Sequence, residues 1–75
     1  MRVRYDNQSD ALYIELRKLD PGTAENRSWT DEITLDYGPD GNVAGIEVLD
    51  ASTVLGDDLD RVTFEVFPVL RKRHV

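Results

Sequence analysis

The chain has 75 residues, 40% of them hydrophobic, with nine Lys and Arg against fifteen Asp and Glu and no cysteine. That length holds one domain and falls far short of a dinucleotide-binding sheet or an α/β barrel. The lack of cysteine excludes a disulfide staple, a thiolate nucleophile and a Cys-based metal site, and a net charge of −6 argues against nucleic acid as the main partner, because neutralising phosphates needs Lys and Arg.

Residues 2–5 alternate charge with Val3 and Tyr5, which predicts a short strand. Residues 6–10 (DNQSD) are turn formers. Residues 11–16 (ALYIEL) put Leu12, Ile14 and Leu16 on one face, the period of a half-buried strand. The two strands are expected to form an antiparallel hairpin. Asp20, Pro21 and Gly22 mark a turn. Residues 23–30 are polar around Trp29 and read either as an edge strand or as a loop. Residues 32–37 (EITLDY) alternate again, and residues 38–42 (GPDGN) carry hairpin chemistry, with Gly41 able to adopt the left-handed conformation in a bulge. Residues 43–49 (VAGIEVL) are apolar on both faces, as expected of a central strand.

Asp50, Ala51 and Ser52 form a helix N-cap signal, and Gly56 stops the turn after Leu55. Residues 61–67 (RVTFEVF) have both strand and helix spacings; their β-branched and aromatic content and the following Pro68 favour a strand. The expected fold is thus α+β and mainly antiparallel β. It is a small single sheet of five or six short strands with one short helical turn near residues 51–55. Residues 1–70 form the domain, and residues 71–75 form a basic, frayed tail.

YDNQSDALYIEL at residues 5–16 and ITLDYGPDGNVAGIEVLDAS at residues 33–52 together resemble the two motifs of a small prokaryotic family labelled domain of unknown function 2283. The resemblance covers residues 1–56. It implies a small α+β or mainly-β domain without an accepted active site. It also implies an antitoxin-like role, because some such genes sit beside small genes resembling RNA-cleaving toxins.

Several residues have side chains that could carry chemistry. Asp36, Asp40, Gly41 and Glu47 match four positions of a helix–loop–helix calcium loop, but Gly38 replaces a ligand and both flanks read as strands. A bulged hairpin explains the same residues. Asp6, Asp10, Asp36 and Asp50 are candidates for a carboxylate- or metal-dependent enzyme, against Asx-turn and capping roles. His74 lies in the tail and lacks the fixed position a general base needs. Tyr5, Tyr13 and Tyr37 read as packing residues with a wet hydroxyl. Trp29 reads first as core and second as an interface anchor.

A chain of this size buries only about 60% of its unfolded surface, so a second chain is expected to cover part of the apolar face. The functional expectation is a non-enzymatic interaction module that forms a homo-oligomer, binds a small basic protein, or both. Trp29, Asp31, Glu32, Asp57, Asp58 and Asp60 are its expected contact residues. Residues 28–60 hold nine acidic groups and no Lys or Arg, whereas residues 61–75 hold four basic groups and one acidic. No catalytic residue, cofactor or metal is expected. The polar start of the chain and the lack of long apolar runs predict a cytoplasmic protein outside the membrane.

Overall fold

The structure, a computed structural model, describes residues 1–68. Five strands and one short helix follow in chain order: β1 (Arg2–Asp6), β2 (Ala11–Glu15), β3 (Glu25–Ser28), β4 (Ile33–Tyr37), β5 (Val43–Val48) and α1 (Ala51–Leu55). The strands form one sheet in the order β1-β2-β5-β4-β3, antiparallel throughout. β5 is the central strand, in keeping with its apolar residues on both faces. The β1–β2 and β4–β5 hairpins are joined side by side through β2 and β5, with Leu12 opposite Val48 and Ile14 opposite Ile46.

Each turn has an identifiable local cause. The Asp6 carboxylate accepts the Gln8 N–H at 2.9 Å and starts the β1–β2 turn. Gly41, at φ 82°, closes the β4–β5 turn with its N–H on the Gly38 carbonyl, and a bulge sits between Asp36 and Tyr37. The Thr30 hydroxyl accepts the N–H groups of Glu32 and Ile33 and shapes the β3–β4 turn. Residues 23–30, which the sequence left between edge strand and loop, include β3, an edge strand with every residue exposed.

Alternation gives the sheet two unlike faces. The register places Val3, Tyr5, Leu12, Ile14, Ile46, Val48, Ile33 and Leu35 on one of them. Leu12, Val48 and Ala51 are buried there, with Tyr5, Ile14, Ile33, Ile46 and Leu59 packed around them. Helix α1 thus covers only the end of the face where β5 runs out. No large side chain is completely buried among the described residues.

Two expectations about the C-terminal part are corrected. Asp50 occupies the N-cap position, but its backbone is left-handed and its side chain makes no cap hydrogen bond; a carboxylate from another turn supplies it. Residues 61–67, favoured as a strand, form neither strand nor helix, and Val62, Phe64, Val66 and Phe67 are exposed. β-Branched and aromatic residues favour a strand only where a neighbouring strand completes the ladder, and none pairs with them among the described residues. The expected tail at residues 71–75, with His74, lies outside the described residues.

Candidate functional site

Of the four carboxylates that are candidates for catalysis, Asp6, Asp10 and Asp36 are each engaged with different partners. Asp10 accepts the Tyr5 hydroxyl at 2.6 Å, the Ser52 N–H at 3.0 Å and the Ser52 hydroxyl at 2.6 Å. The backbone carbonyl of Asp10 also accepts the Ala51 N–H at 2.9 Å. Asp10 therefore satisfies the free N–H groups at the start of α1 from 42 residues away in sequence. Its left-handed backbone, φ 54°, aims the side chain there. The Ser52 contacts first, then the Tyr5 hydroxyl, hold the Asp10 carboxyl below its usual range. In return, the hydrogen bond to Asp10 raises the Tyr5 phenol. Asp6 serves its own turn, its carboxyl lowered first by the Gln8 N–H. Asp50 precedes α1, and Asp36 lies on the other face of the sheet. Among the described residues, no three His, Cys, Asp or Glu side chains gather where they could hold a metal ion.

The calcium-loop alternative fails on the same geometry. Asp40 pairs with the Arg17 guanidinium and accepts the Asn42 N–H at 3.1 Å. The arginine holds the Asp40 carboxyl far below its ordinary range. Asp36 faces Tyr13 and Asn26 across the sheet, while Glu47 lies on β5 opposite Tyr13 and Thr34. The three acids that matched the loop pattern do not converge.

The best-built polar cluster is one the sequence did not single out. Tyr13 lies across Gly45 on the polar face and donates its hydroxyl to Asp36 at 2.7 Å. A Cβ at Gly45 would approach the Tyr13 Cζ to 2.7 Å, so only glycine leaves room for the ring. The amide of Asn26 donates to the other Asp36 oxygen. Arg4 stands over the Tyr13 ring, 5.7 Å from its centroid. Partial burial, with the Asp36 carboxylate next in weight, pushes the Tyr13 phenol up to about 12. Tyr13 thus remains protonated at neutral pH, a hydrogen-bond donor and not a base. The cluster ties β2 to β3 and β4 across β5. A shallow hollow beside it, lined by Arg4, Asp6, Tyr13 and Glu47 among others, opens toward the β1 edge.

The residues expected to contact a partner lie at the surface. Trp29 is 69% exposed, which corrects its reading as core: β3 ends at Ser28 on the sheet's edge, and no layer packs over it. Asp31, Asp57, Asp58 and Asp60 are exposed, and Glu32 is half-buried. The topology puts the β3–β4 turn and the segment after α1 at one end of the sheet, because Ile33 pairs with Val48 just before the helix and Leu59 packs on the same core. These acids therefore share an end, although two separate segments supply them.

The larger surface feature is apolar. Val62, Phe64, Val66 and Phe67 are 66–77% exposed. Residues 2–52 match the model of a family described as Protein of unknown function (DUF2283). The chain belongs to that family. No curated protein and no solved structure matches the chain. The family region takes in all five strands and the first residues of α1, so the exposed segment from residue 61 falls outside it. No helix among the described residues is long and apolar enough to cross a membrane.

Sequence reasoning missed the Tyr13, Gly45 and Asp36 cluster because its members lie on three strands whose order is not written in local patterns. One signal was available: a glycine amid the β-branched residues of β5 marks a close approach by another group.

Proposed function

We propose that this protein is a non-enzymatic interaction module that works as a homo-oligomer in the cytoplasm of a prokaryotic cell. The observation carrying this reading is the thin core. Among the described residues no large side chain is fully buried, while Val62, Phe64, Val66 and Phe67 stand exposed after α1. A 75-residue chain without disulfides has little stability to spare, and contact with a second chain supplies the missing burial. Light scattering after size-exclusion chromatography, over a dilution series, tests the reading. The expected result is twice the mass of one chain at micromolar concentration; a monomer at every concentration, still folded by circular dichroism, overturns it.

A second contact is proposed for a small basic protein, in keeping with an antitoxin-like role. It is favoured by the exposed Trp29 beside Asp31 and Glu32, at the end of the sheet that also carries Asp57, Asp58 and Asp60. Aromatic anchors with complementary charge suit such a contact. Binding that weakens steeply with salt and is lost in Trp29→Ala supports it; a protein encoded next to this gene that fails to bind at low salt counts against it.

A further inference from the structure

The two edges of the sheet are open to different degrees. β3 carries Glu25, Asn26, Arg27 and Ser28, with the charged Glu25 and Arg27 aligned with Tyr37 and Leu35 on the apolar side. An incoming apolar strand would set its side chains beside those charges. β1 instead alternates Val3 and Tyr5 on the apolar side with Arg2, Arg4 and Asp6 on the polar side. Its one ladder neighbour is β2, so its outer N–H and C=O groups offer a template for another strand.

Residues 61–67 have the complementary pattern. Val62, Phe64 and Val66 alternate with Arg61, Thr63 and Glu65. In the chain itself this segment stands away from the sheet; Phe64 is 76% exposed.

We propose that residues 61–67 of one copy add as an antiparallel strand to the outer edge of β1 in a second copy, reciprocally, with Arg61 opposite Asp6 and Glu65 opposite Arg2. This rests on the homo-oligomer reading above and names its contact. In that register Val62 lies opposite Tyr5, Phe64 opposite Val3 and Thr63 opposite Arg4. The apolar stripe then extends the apolar face of the second copy, and both opposite-charge pairs fall on the polar face, where cross-strand pairs stabilise a sheet. Other alignments lose this match. A one-residue slip turns Phe64 toward the polar face. Sliding two residues one way sets Arg61 against Arg4; two the other way sets Phe67 against Arg2. Parallel pairing of the same residues sets Arg61 against Arg2 and Glu65 against Asp6. The exchange is isologous, so two copies close a dimer with both β1 edges covered.

The test uses the absence of native cysteine. In Arg4→Cys/Thr63→Cys, both substituted side chains are exposed, and mild oxidation traps their neighbours. The expected product is a disulfide between chains in most of the protein, read on a non-reducing gel and by mass spectrometry, together with at least a tenfold weakening of self-association in Phe64→Asp. A wild-type dimer that gives no cross-link overturns the β1 register and leaves the homo-oligomer reading standing. A cross-link within one chain overturns the exchange in favour of the segment closing its own edge. A wild-type monomer overturns both.

Discussion

The two edge strands of this sheet solve one problem in opposite ways. β3 is polar on both sides and is held down by side-chain contacts: Asn26 donates to Asp36, and Arg27 lies over the Tyr37 ring at 4.8 Å. Such an edge discourages further pairing. β1 carries an apolar stripe and anchors its end through Tyr5, whose hydroxyl reaches the carboxylate that also holds the start of α1. Its outer rim has the alternation of an interior strand. The difference teaches that a small sheet can be polar and braced by side chains at one edge and keep an apolar alternation at the other.

Because the buried core sits on β2, β5 and the start of α1, truncations should be unequal. Leu12→Ala, at a fully packed position beside β1, is expected to cost about 2–4 kcal/mol, whereas Leu35→Ala, half-buried beside β3, costs about 1–2 kcal/mol. Urea denaturation at a fixed protein concentration measures both; equal costs would dissolve the contrast. Gly45→Ala comes next, at about 1–3 kcal/mol, because the added methyl drives Tyr13 off Asp36. Ultraviolet titration of the phenol supplies an independent readout: the Tyr13 step near 12 should move back toward 10.

At the β1 end, Asp10→Ala removes the remote cap and places alanine at a left-handed backbone position. A fall in Tm of roughly 4–8 °C is expected, against less than about 2 °C for Arg27→Ala at the β3 edge, where surface substitutions have small effects. The smallest effect is on pH dependence. Asp10 has a lowered carboxyl pKa, so its contribution is fully present above its unfolded value near 4 and is lost as pH falls through the lower folded value. Tyr13 has a raised pKa, so its contribution is present below pH 10 and is lost as pH rises toward about 12. Asp10→Asn should flatten the acid limb of Tm against pH and leave the alkaline limb unchanged; an unaltered acid limb would remove Asp10 from the account.

Much of the fold was legible because strand alternation and turn chemistry are local. The hairpin loops at residues 7–10 and 38–42, the central position of β5 and the stop at Gly56 follow from neighbouring residue types. The site was far less legible. Asp50 had every local mark of an N-cap, yet Asp10 does the capping, since the partner that wins is the one the β1–β2 turn brings to the helix. Trp29 looked like core by its type, but an edge position gives it nothing to pack against.

The sequence by itself determined four of the five strands, their alternating faces, their turns and the concentration of acid between residues 28 and 60. Each of these depends on residues within a few positions of one another. Tertiary structure alone decided the order β1-β2-β5-β4-β3, the clasp of Tyr13 over Gly45 and which edge remained open. The β2–β5 junction and the clasp span 20 residues or more, where local propensity is silent and burial and backbone hydrogen bonding choose the partner. The same reason accounts for residues 61–67. Their alternating pattern is that of a strand, but a strand forms only against a neighbour, and none is in place among the described residues.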